Sequence, residues 1–109
     1  MAERALAAGR GLEAGEPAAA FIEADVAFHT AIYRLSGNPA IEQTVAAQCP
    51  HLRRSMGVVL EDAGRRPAVW AEHAALLERI LAGDADGAEA AARDHTDRAG
   101  EETARRLAA

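Results

Sequence analysis

The sequence predicts an all-α fold, an antiparallel helix bundle formed by a single domain over residues 1–109. Three observations carry that expectation. Apolar residues recur at intervals of three and four along successive segments, as one face of a helix requires. Glycine, proline or asparagine marks the breaks between those segments, as at Gly9 and Gly11, Gly37-Asn38-Pro39 and Gly83. Half of the residues are hydrophobic but only 4% are aromatic, so alanine supplies much of the apolar surface. That suits helices that approach closely around a thin core. A chain of this size buries one core, to which a partner or a bound ion adds useful stability.

The elements follow in order. Ala2 to Ala8 reads as the last turns of a helix, stopped by Gly9 and Gly11. Pro17 is well suited to a first helical turn, and Phe21, Phe28, Ile32 and Leu35 then recur at helical spacing until Ser36-Gly37-Asn38 breaks the pattern, which places a helix over Pro17–Leu35. Pro39 opens the next, whose stripe of Ile41, Val45, Cys49, Leu52, Met56, Val59 and Leu60 runs to the Gly64 region, with Pro50 expected to kink it. A helix over Pro67–Ala82 buries Val69, Trp70, Leu76, Leu77, Ile80 and Leu81 and stops at Gly83. Asp84 is placed to cap the last helix, Ala85 to about Leu107, which turns Ala88, Ala91, Ala92 and Ala99 inward.

Charge and cysteine usage narrow the function. Twelve basic against 17 acidic side chains give a net charge of −5, the wrong sign for neutralising phosphates along a duplex. The single cysteine, Cys49, has no internal disulfide partner and reads as a small buried apolar residue. No uninterrupted apolar run reaches the length of a signal peptide or a membrane span. A soluble, cytoplasmic protein is expected.

The chemistry lies where apolar stripes are interrupted. Between Phe21 and Phe28 the stripe passes through Asp25, and His29 lies one turn beyond on the same side. An unpaired buried carboxylate must find a cation, accept several hydrogen bonds or take up a proton. The stripe of Val69, Leu76 and Ile80 passes through His73, and that of Ala88, Ala92 and Ala99 through His95. Three helices thus each present a metal-ligating group on a core face, and in a small bundle such faces converge. The alternatives stay open from spacing alone: a lone histidine on an apolar face is usually a satisfied core residue, and Asp25 has Arg53 or backbone donors as possible partners. His51 falls off its helix's apolar face and serves as an internal control. The constant interval of 22 between the four histidines is coincidental, because their neighbours share nothing.

These residues resemble the FCD ligand-binding domain of the FadR subfamily of GntR-type transcription regulators. The resemblance rests on Asp25-Val26-Ala27-Phe28-His29, Ile32 and the Ser36-Gly37-Asn38-Pro39 break. It resumes at Glu72-His73, Ile80 and Gly83-Asp84-Ala85, and ends at Arg93-Asp94-His95. It implies an antiparallel bundle whose metal-binding members use an Asp and three His at the positions of Asp25, His29, His73 and His95. It also implies a small carboxylate effector bound at or beside the metal, and a homodimer that reaches DNA only through a winged helix-turn-helix domain absent from this chain. On this reading the chain is a partial FCD-like domain, lacking the first helical part. Nitrogen-rich ligation suits zinc or nickel and the aspartate admits manganese, with zinc favoured. Arg53, at the edge of its helix's apolar face, is the candidate for pairing with an effector carboxylate or orienting Asp25.

No catalytic residue is assigned and the chain is not expected to be an enzyme. Two other readings compete. A metal-dependent hydrolase would want a base beside the ion, but there is no His-Glu-x-x-His element and Glu72 is expected to point away from the face of His73. A metal-free helical dimerisation module would pair its buried polar groups among themselves.

Overall fold

The computed structural model describes residues 2–13, 15–35 and 37–108; Ser36, one of the residues expected to break the second helix, lies outside the described residues. Among those described there are five α-helices and no strand: α1 (Ala2–Arg10), α2 (Ala18–Arg34), α3 (Pro39–Leu60), α4 (Arg66–Leu81) and α5 (Ala85–Ala108), with a 3-10 turn at Ala63–Arg65 before α4. The all-α bundle is the fold the periodicity predicts. No helix is long and apolar enough to cross a membrane.

The helix ends follow local chemistry. Pro17 stays extended, with ψ at 152°, as the residue before α2 rather than within it. Gly37, at φ 67°, and Gly83, at φ 72°, take the left-handed conformation that ends a helix without a side-chain clash. Asn38 both follows the break and caps α3, its side chain accepting from the Ala40 N–H at 3.0 Å. Asp84 caps α5 through the Gly87 N–H at 2.9 Å. The third helix stops at Leu60, short of the Gly64 region, because Asp62 turns the chain by accepting from the Gly64 N–H at 2.9 Å. Pro50 lies inside α3, which continues through it.

Gly9 departs most from the expectation. It does not stop α1 but is buried within it, and a Cβ there would lie 2.2 Å from Trp70 Cη2. The glycine gives the indole its place. Around that contact the core gathers Ala2, Phe28, Ala31, Trp70, Leu76 and Leu77, with Ala88, Ala91 and Ala92 of α5 packed against it. Helices 1, 2, 4 and 5 therefore share the core. α3 packs on α2 and α5 but, among its described residues, buries only Val59 and Leu60. The rest of its apolar stripe does not enter the core, and Ile41 and Leu52 are exposed, as are Leu35 and Leu81, which were expected to be buried.

Two polar clamps hold the far end of α3. Buried Arg66 donates from Nε to the Leu60 carbonyl at 2.8 Å and from Nη1 to the Glu16 carbonyl at 3.3 Å, while its guanidinium lies 4.1 Å over the Phe21 ring. Buried Glu102 accepts from Arg106 Nε at 2.7 Å and also meets Arg105, and Arg106 reaches Asp62 at 2.6 Å. These tie the start of α2, the end of α3 and the end of α5 to the turn before α4.

Gly9→Ala is expected to destabilise the fold by about 1–3 kcal/mol through overpacking against Trp70. Gly100→Ala, with nothing within 4 Å of the added Cβ, should stabilise α5 by up to about 1 kcal/mol. Urea denaturation midpoints moving in opposite directions would bear out the packing; a raised midpoint for Gly9→Ala would refute it.

Candidate metal centre

Phe28 of α2 and His73 of α4 meet in the interior. The two rings stack with centroids 4.4 Å apart and 15° between planes, and Trp70 meets His73 edge-on at 4.6 Å. His73 is fully buried, and Phe28 beside it is too. The Asp-x-x-Phe-His spacing explains the arrangement: Phe28 follows Asp25 by three residues and packs into the core, while Asp25 and His29, four apart, lie along the side facing α4 and α5.

The polar groups converge there. His29 Nε2 lies 3.2 Å, and His73 Nε2 2.9 Å, from the same oxygen, Asp25 Oδ1. His95 comes in from α5, with ring centroids 4.9 Å from His73 and 5.6 Å from His29. One ligand atom from each of His29, His73 and His95 falls within 4.8 Å of the others, close enough for the three to hold one ion. The sequence-predicted residues Asp25, His29, His73 and His95 are thus brought together, and the control, His51, is exposed beside Arg54.

Electrostatics sharpen the picture. Burial pushes the Asp25 carboxyl upward, but contacts with His29 and His73 outweigh it and hold the group well below the ordinary carboxylate range. Burial lowers His73, and the neighbouring His29 and His95 lower it further against the pull of Asp25, so its neutral, ligating form is favoured. Burial first, and the Asp25 charge second, raise the Tyr33 phenol. The 2.9 Å approach of His73 to Asp25 lacks hydrogen-bond alignment: Asp25 Oδ1 and both His73 nitrogens are buried without a hydrogen bond. Each such orphan costs about 1–3 kcal/mol. A divalent cation is the partner that carboxylate and imidazole donors share, so these residues fit a metal.

Glu72 corrects the expectation that it points away from the site. Although adjacent to His73 in α4, it turns toward α5 and places Oε1 2.7 Å from His95 Nδ1. With Nδ1–H donating to that carboxylate, Nε2 is the nitrogen left available to an ion, the support that metal-binding histidines ordinarily have. Arg53 is not at the site. It pairs with Glu23 on the outer edge of α2 and α3, its Nη2 donating to Glu23 Oε2 at 3.4 Å, and does not line the adjoining cavity.

That cavity opens from the histidines between α2, α3 and α5, with a volume of about 910 Å³ and walls that are mostly apolar. Asp25, His29 and His95 stand on its wall, beside Thr30, Tyr33 and Thr96. Cys49, expected in the core, is half-buried on its wall, and the stripe of α3 from Val45 to Val59 faces it.

The family model described as the FCD domain matches residues 1–98 of the chain. No curated protein and no solved structure matches it.

Without metal, the folded state binds a proton at His73 more weakly than the unfolded chain does, so the stability His73 contributes is complete above its ordinary value of 6.5 and is lost as pH falls below it. Asp25 acts in the same direction below its ordinary value of 3.8. The Tm of chelator-treated protein should hold steady from pH 9 to about 7 and fall on acidification through about 6; a Tm that rises between pH 7 and 5.5 would contradict this arrangement.

Proposed function

This chain belongs to the FCD family, the effector domains of GntR-type transcription regulators, and we propose that it is the metal-dependent sensor of a small organic acid in a regulator of the FadR subfamily. The observation that carries the proposal is the set of buried atoms without hydrogen bonds, Asp25 Oδ1 and both nitrogens of His73, beside two further imidazoles on the wall of a cavity. Asp25, His29, His73 and His95 would hold the ion, zinc by preference, with nickel or manganese as alternatives. When bound it would supply a positive, Lewis-acidic pole for an effector carboxylate.

The chain's own residues supply the rest. Phe28 and Trp70 enclose His73, exclude water from it and fix its ring. Glu72 orients His95. The hydroxyls of Thr30, Tyr33 and Thr96 stand on the cavity wall beside the histidines, where they are placed to hydrogen-bond a bound carboxylate. We assign no catalytic group and no enzymatic activity. DNA would be contacted by a separate winged helix domain, in keeping with the net charge of −5 on this chain, and the regulator would work as a cytoplasmic homodimer. A metal-free dimerisation module is the second reading, favoured by the approach of His29 and His73 to Asp25 at 3.2 and 2.9 Å. A Tm indifferent to chelator would select it.

Metal content of untagged protein, by inductively coupled plasma mass spectrometry, tests the proposal. Near-stoichiometric zinc, nickel or manganese is expected in the wild type and in His51→Ala, and loss of it in His73→Ala. Protein that neither carries nor takes up metal would overturn the assignment.

Glu72→Gln should keep the metal but weaken its binding by about 10–100-fold, measured by competition with a chelating dye. An unchanged affinity would remove Glu72 from the site.

A further inference from the structure

The walls of the cavity point to the class of effector. Its volume of about 910 Å³ lies near the top of the range of about 300–1,000 Å³ for pockets that enclose a small organic molecule. An acid of a few atoms would leave most of it unfilled. α3 lines the cavity from Glu42 to Leu60, a run of about 27 Å at the helical rise. Apart from the histidines and the polar residues beside them, the wall is chiefly aliphatic, with Val45, Leu52, Met56 and Ala99 among its members. The Thr103 hydroxyl in that region already donates to the Ala99 carbonyl at 2.8 Å.

The charges are equally one-sided. Among the described residues, no arginine lines the cavity, and the acid distant from the histidines is Glu42, which lies 3.7 Å from Arg34. A second carboxylate, or a chain of hydroxyls, carried along the groove would lose its hydration against aliphatic carbon, and the one charged group it could meet there, Glu42, is acidic and already paired with Arg34. A single anionic head at the histidines, followed by an apolar body along the aliphatic wall, has its charge and its carbon matched at once.

We infer that the effector is a monocarboxylate with an extended apolar body, held head-first at the histidines and body-first against α3 and α5, rather than a dicarboxylate, citrate-like or polyhydroxy acid. This rests on the sensing function proposed above and narrows it.

The test is isothermal titration calorimetry of the full chain, zinc-loaded and metal-free, with the straight-chain alkanoates from acetate to decanoate and with succinate and citrate. Sedimentation velocity is run on the same samples. The Kd is expected to fall about threefold to fourfold for each added methylene until the cavity is filled, with the same slope in both forms, because the slope belongs to the groove. Succinate should bind no more tightly than butanoate. Ala99→Trp, which fills the groove, should flatten the slope while leaving acetate binding to the zinc-loaded protein, and Val45→Lys should bring succinate ahead of butanoate. Succinate or citrate outranking octanoate, or acetate binding with no dependence on chain length, would overturn the inference and leave the sensing function standing. Failure of every carboxylate to bind zinc-loaded protein would instead overturn the sensing function. A dimer that Val45→Lys dissociates, and to which no alkanoate binds, would give the groove to a second copy of the chain and sink the inference.

Discussion

A carboxylate buried on the core face of a helix has to be compensated, and in this chain the compensation of Asp25 organises the molecule. Its Oδ1 draws His29 from its own helix and His73 from α4 to within 3.2 Å and 2.9 Å. Sliding or rotating α2 or α4 would separate those groups, so one oxygen atom marks the point where the two helices meet. The apolar partners gather at the same point: Phe28 stacks on His73, and Trp70 closes over its edge. Polar and aromatic groups are not separate layers here but alternate along the same turns of helix.

Small residues make that convergence possible. Ala88, Ala91 and Ala92 bring α5 close enough to α4 for His95 to reach the other imidazoles, and Gly9 lets α1 rest directly on the Trp70 ring. The cost is a core with few large side chains, among which Phe28, Leu60 and His73 are the largest fully buried. That a histidine ranks with them means the site is part of the packing, and removing its ring would take away volume as well as a donor.

Much of this is legible in the sequence, for reasons specific to each residue. Asp25, His73 and His95 stand out because each interrupts a stripe whose other members are apolar, and periodicity identifies interruptions well. Glu72 does not stand out. Periodicity assigns it to a flank of α4, and only the placement of α5 reveals that the flank faces His95. Arg53 shows the converse: its edge position is read correctly, but its partner, Glu23, is chosen by the packing of α2 on α3. Gly9 looks like a helix stop because the ring that requires it lies 61 positions away in the chain. The stripe of α3 is the most instructive case. An apolar face toward a cavity and one toward a core carry the same pattern, and only the three-dimensional arrangement separates them.

The lone tryptophan of the chain sits with its ring centroid 4.6 Å from that of His73. Its emission therefore comes from one defined place, one ring removed from the convergent donors, and any change in the charge or partners of that imidazole alters the field around the indole directly. The molecule carries an unlabelled optical probe of its own interior, positioned by the same glycine that lets α1 close against it.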